Sequence, residues 1–170
     1  MMGAFAIGVM TTKAMQQFRE HKNRAREATA VTWTPDEEAF LRAMVTKGAE
    51  RPREAADRIG PERAYALASG ALAVAAARRF PSGSTHADIA AFARSLPERF
   101  PRGAEMFKPT VVEAVIRTAR GEEGLLAGLD VADVQQLLLI LPHTLMADQE
   151  ISDGDRETFI DESLKMAADS

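Results

Sequence analysis

The side chains that could support metal or acid–base chemistry are far apart in this sequence. Its histidines are His21, His86 and His143, and none belongs to an H-E-x-x-H or E-x-x-H ligand motif. There is no cysteine to act as a thiolate nucleophile or metal ligand. The phosphate-binding and nucleophile motifs G-x-x-x-x-G-K-[ST], G-x-G-x-x-G and G-x-S-x-G are also missing. We therefore expect no catalytic residues, no cofactor and no enzymatic activity.

The densest group of metal-ligating side chains is the acidic stretch of residues 148–155, DQEISDGD. It is not an EF-hand loop, because the glycine is not at the sixth position. Residues 147–155 are similar to the A-x-D-G-x-[IF]-[SD]-x-x-E turn of the TerB-like tellurite-resistance domains, with D-Q in place of D-G and Asp155 in place of the glutamate. The resemblance implies an all-helical fold and weak divalent-cation binding through Asp148 and Asp155. The alternative is that these acids only stabilise the start of the next helix.

The elements that must position these side chains are predicted to be helices. Thr34-Pro35-Asp36-Glu37 combines a capping box with proline at the first helical position, and Thr85, Asp130 and Ser152 precede further helical repeats of apolar residues. Glycine and proline fall mainly between these repeats. We predict an all-α, single-domain bundle of about seven or eight helices. Residues 1–30 are predicted to form an N-terminal amphipathic helical arm, and residues 31–170 the bundle domain.

Two segments are predicted to form the centre of the bundle. Ala64–Ala77 places small residues four positions apart, which allows neighbouring helices to approach closely. Val131–Met146 is the most hydrophobic segment, and Pro142 is expected to kink or divide it. A hydrophobic ligand pocket beneath Pro142 is left open as an alternative.

A short repeat occurs as RFPSG at residues 79–83 and RFPRG at residues 99–103. Each copy is predicted to end a helix, with the arginine at the negative end of the dipole, the phenylalanine buried and the proline preventing continuation. Two arginines in matched settings also suggest, as an alternative, that they bind an anion.

The charge distribution does not favour nucleic acid as the main partner. The formal net charge is −4, although residues 13–26 are basic. A helix-turn-helix over residues 56–77 is disfavoured because its recognition helix becomes apolar where it should present polar side chains to bases. The alternative is a DNA-associated protein whose basic arm contacts phosphates through Arg19, Lys22 and Arg26.

The N-terminal arm and the hydrophobic segment at residues 137–146 each have more apolar residues than one buried helix face requires. This excess favours interaction with a protein partner or a homo-oligomer. The expected interaction residues are Ile7, Met10 and Phe18 in the arm, and Leu141 and Leu145 in the hydrophobic segment. The alternative is that the bundle core absorbs both segments. No apolar stretch is long enough to suggest a membrane span, so we expect a cytoplasmic location. Arginine outnumbers lysine by 16 to 5, which suggests a bacterial origin.

Overall fold

The computed structural model describes residues 33–46, 51–147 and 152–168. The chain divides into two units, residues 1–32 and residues 33–170, and the described residues belong to the second. The regular structure of this part is entirely helical, which confirms the all-α class. The predicted arm of residues 1–30 lies outside the described residues. The helices in chain order are α1 (Pro35–Val45), α2 (Pro52–Ile59), α3 (Pro61–Arg79), α4 (His86–Arg99), the 3₁₀ segment η1 (Pro101–Met106), α5 (Pro109–Ala119), α6 (Val131–Met146) and α7 (Asp153–Ala168).

Helices α1, α4 and α6 begin where their capping signals predict. At α1, the Thr34 hydroxyl accepts from the Glu37 N–H at 3.3 Å, and the Glu37 carboxylate accepts from the Thr34 N–H at 2.8 Å. Thr85 and Asp88 form the same reciprocal box at α4. The Asp130 carboxylate accepts from the Ala132 N–H at 2.7 Å at the start of α6. These side chains satisfy N–H groups that the first turn of a helix leaves without a partner.

Helix α3 lies at the centre of the bundle and packs against α1, α2, α5, α6 and α7. Leu67, Ala71 and Ala75 on this helix have no measurable exposure to solvent. Gly70 is buried as well, where the backbone of α7 crosses it. The expectation that residues 64–77 form the central core helix is therefore confirmed, and α3 cannot present these positions to DNA as a recognition helix does.

Helix α6 corrects the prediction for Leu141 and Leu145, and of the two outcomes predicted for Pro142 it excludes division of the segment, while a kink stays a prediction. Pro142 does not divide the segment, since α6 runs unbroken from Val131 to Met146. A proline inside a helix removes one backbone hydrogen bond, and the surrounding core packing outweighs that loss here. Leu141 and Leu145 have no exposure to solvent, so the chain's own core covers the surface that was predicted to meet a partner.

Candidate functional site

A surface groove of about 790 Å³ lies where α1, the start of α2, η1 and α6 meet. We call it the η1 groove. It is larger than a second depression of about 280 Å³ that is lined by other described residues. The residues that line it are Ala43, Met44, Thr46, Arg51, Pro52, Arg99, Phe100, Pro101, Arg102, Gly103, Met106, Phe107, Leu139, Ile140, His143 and Thr144.

The floor and walls of the η1 groove are mainly apolar. Met44 and Phe107 are buried, whereas Met106, Leu139 and Ile140 are only half-buried. Unbranched methionine adapts its shape to different neighbours, so the half-buried Met106 suits a ligand of irregular surface, whereas Met44 has no exposure and belongs to the core beneath. The groove therefore combines buried support with apolar surface that the described residues leave accessible.

The excess of apolar residues on α6 is accommodated in two ways. Leu137, Leu141 and Leu145 follow one another at intervals of four residues and fill the core with no exposure. Leu139 and Ile140 lie on another side of the helix and line the η1 groove. The sequence correctly indicated that α6 has more apolar residues than its core-facing side needs. The extra apolar residues that line the groove are Leu139 and Ile140, and not Leu141 and Leu145 as predicted.

The rim of the η1 groove is basic. Arg51, Arg99 and Arg102 line it together with His143, and no aspartate or glutamate is among the described lining residues. Arg51 is 3.8 Å from the carboxylate of Glu54, but its side chain is 85% exposed, so this ion pair is weak. The rim therefore places positive charge beside an apolar surface in a chain whose net charge is negative.

The two copies of the repeat meet at one aromatic ring. The guanidinium of Arg79 lies 5.5 Å from the centroid of Phe92, and that of Arg99 lies 6.0 Å from the same centroid. Phe80 is buried as predicted, but Phe100 is 36% exposed and packs against Phe107 with ring centroids 5.3 Å apart. The repeat thus orders its arginines through cation–π contacts, and anion binding by them stays a prediction.

The predicted cation ligand Asp155 stabilises the start of α7. Its carboxylate accepts from the hydroxyl of Ser152 at 2.6 Å and from the Ser152 N–H at 3.3 Å. These hydrogen bonds hold the pKa of Asp155 below its usual value. Asp148 lies outside the described residues. Within residues 33–46, 51–147 and 152–168, no group of three histidine or acidic side chains is arranged to hold a metal ion.

The remaining predicted residues have different outcomes. Ile7, Met10 and Phe18, like Arg19, Lys22 and Arg26, lie outside the described residues, so both hypotheses for the arm stay predictions. His86 lies on the surface with its Nε2 3.1 Å from the carboxylate of Glu122. His143 lines the η1 groove together with Met44, Arg51, Met106 and Arg102. Arg102 belongs to the RFPRG repeat, and no local signal in the sequence linked the other three residues to a groove.

The comparisons with known proteins found no matching family model, curated protein or solved structure. The resemblance to the TerB-like domains therefore rests on the turn at residues 147–155 alone. Among the described helices, none is both long enough and apolar enough to span a bilayer.

Proposed function

We propose that this protein has no catalytic role and acts by binding an apolar segment of a partner protein in the η1 groove. The observation that carries the proposal is the half-buried apolar surface of Met106, Leu139 and Ile140, supported from below by Met44 and Phe107. Grooves of this kind receive the apolar face of an amphipathic helix, whose anchoring side chains recur at intervals of three and four residues.

Judged from the described residues, a different protein suits the groove better than the same part of a second copy of this chain. The large apolar residues exposed in the described part are Tyr65, Phe100, Val131 and Met166. Tyr65 and Met166 line the smaller depression, Phe100 lines the η1 groove itself, and Val131 lies at the start of α6, so the four do not make one continuous apolar ridge. Native mass spectrometry of the protein alone checks this choice, with a monomer as the expected result. A dimer that an Ile140 variant dissociates would instead favour self-association.

The direct test uses defined helical peptides of about 16 residues, which span about four helical turns. One fluorescein-labelled peptide carries leucines at i, i+3, i+4 and i+7 on a glutamine and alanine background. The control peptide has the same composition, with its leucines distributed around the helix. Fluorescence anisotropy is expected to show binding of the first peptide and at least about tenfold weaker binding of the second, equivalent to about 1.4 kcal/mol.

Variants then locate the binding site. Met106→Gln and Ile140→Asn each place a polar side chain on the apolar surface and should weaken binding of the first peptide. Tyr65→Asn is the matched control, because Tyr65 is 53% exposed and is not part of the η1 groove. Thermal unfolding of each variant verifies that it is folded. Equal affinity for the two peptides would contradict the proposal. So would a loss of affinity in the Tyr65 variant as large as that in the Met106 and Ile140 variants.

A further inference from the structure

We infer that the η1 groove selects a partner segment that carries carboxylates next to its apolar side chains. This inference rests on the proposed function, and it names the chemistry of the partner. It starts from the contrast between the whole chain and the groove. The chain has a net charge of −4, whereas the described residues that line the groove include three arginines and no acid.

The three arginines come from two separate places in the fold. Arg51 immediately precedes α2, while Arg99 and Arg102 lie at the end of α4 and in η1. Two such positions can contact carboxylates at different points along a bound segment. A single carboxylate on the partner would contact the arginines at only one of these places. We therefore expect the recognised segment to be acidic at more than one position.

Aromatic packing orders one part of the rim. The Arg99 guanidinium lies 6.0 Å from the ring centroid of Phe92 and 5.7 Å from that of Phe100. A guanidinium held against aromatic rings loses less conformational freedom when it binds a carboxylate. Its planar fork also matches the two oxygens of a carboxylate. Arg99 is therefore partly preorganised beside the apolar floor.

Arg102 is the rim residue best suited to a test. It is exposed, and within the described chain its side chain has no ion pair with an acidic residue. Its replacement should therefore leave the fold unchanged. When a partner covers the groove, water is displaced from the apolar floor and the attraction between Arg102 and a nearby carboxylate increases. A lysine at that point of the partner would be repelled.

The experiment compares three peptides with the same leucine pattern, in which the residues flanking the leucines are glutamate, glutamine or lysine. We expect the affinity to follow that order, with the glutamate peptide binding about tenfold more tightly than the lysine peptide at low salt. The difference in affinity between the glutamate and lysine peptides should become smaller at about 1 M salt, because charges then interact over only about 3 Å. Arg102→Glu should reduce the preference for glutamate or reverse it.

The matched control is Arg94→Glu, an exposed arginine of α4 outside the groove lining, which should leave the order of the three peptides unchanged. If all three peptides bind with equal affinity, the acidic preference is refuted and the proposed function stands. If none binds, the proposed function itself fails. Laurate is added as a competitor, and displacement of the glutamate peptide by laurate at one molecule per chain would show that the groove binds a small anionic amphiphile, which also overturns the inference.

Discussion

Gly70 of α3 and Ser163 of α7 are in such close backbone contact that no side chain fits between them. A β-carbon at position 70 would lie 2.7 Å from the carbonyl oxygen of Ser163 and 3.1 Å from the amide nitrogen of Ala167. Ser163 is fully buried, and its hydroxyl donates to the Phe159 carbonyl at 2.7 Å. The glycine thus sets how closely the last helix packs against the central one.

Gly70→Ala is expected to destabilise the bundle although alanine is the better helix former. Alanine gains up to about 1 kcal/mol of helix propensity. The new methyl group must push apart two backbones that have no flexible side chain to yield, and overpacking of this kind costs about 1–3 kcal/mol. We therefore expect a net loss of free energy of unfolding, measured by urea denaturation.

Ser69→Ala is the matched control for this change, since Ser69 is the neighbouring residue on α3 and is only half-buried. It should alter the free energy of unfolding by less than about 0.5 kcal/mol. A Gly70→Ala protein more stable than the wild type would show that α7 does not pack on α3 at this distance.

Glu37→Gln should destabilise the protein at neutral pH by about 1–2 kcal/mol, because glutamine can still accept from the Thr34 N–H in the α1 capping box but loses the ion pair with Arg63. Arg63 also lies 5.1 Å from the ring centroid of Trp33. Burial raises the pKa of Glu37, but the hydrogen bonds from Thr34 and Arg63 and the charge of Arg63 outweigh burial and lower it.

The lowered pKa of Glu37 determines how this effect depends on pH. A carboxyl with a lower pKa in the folded state stabilises the protein above its unfolded-state pKa, and this stabilisation is lost as the pH falls through the folded value. The difference between wild type and Glu37→Gln, followed by denaturation at several pH values, should therefore shrink toward acid pH. Glu38→Gln, an exposed neighbour, is the control and should show little difference. A pH-independent loss in Glu37→Gln would rule out the contribution of the charge.

Leu141→Ala and Leu139→Ala compare the core-facing side of α6 with the side that lines the η1 groove, through the stability that each truncation costs. Leu141 has no exposure, so truncation leaves a cavity and should cost about 2–5 kcal/mol. Leu139 is half-buried, and its truncation should cost clearly less. Thermal and urea denaturation compare the two, and equal losses would indicate that Leu139 belongs to the core.

Asp155→Ala should lower the thermal midpoint by the same amount in calcium and in chelator. The expected reason is that Asp155 serves the Ser152 cap of α7, whose hydrogen bonds need no metal ion. The hydrogen bonds also lower the pKa of Asp155, so its contribution should disappear at acid pH. Differential scanning fluorimetry provides the measurement. A stabilisation by calcium that Asp155→Ala removes would support the alternative cation site at Asp148 and Asp155.

Local chemistry made much of the helical architecture predictable from the sequence. A helix start depends on neighbouring residues, so Thr34 with Glu37, Thr85 and Asp130 could be assigned as caps without knowledge of the fold. The spacing of small residues similarly indicated that residues 64–77 pack closely with other helices. Because these signals act within a few residues along the chain, the sequence by itself determined the all-α class.

The groove depended on contacts between distant segments, which only the tertiary structure decided. Met44, Arg51, Met106 and Ile140 are brought together from α1, the start of α2, η1 and α6, and no local pattern links them. The sequence showed that α6 has more apolar surface than one face can bury. Which leucines fill the core and which line the groove was decided by the helices that pack around α6, because a helix presents its sides to neighbours that lie far away in sequence.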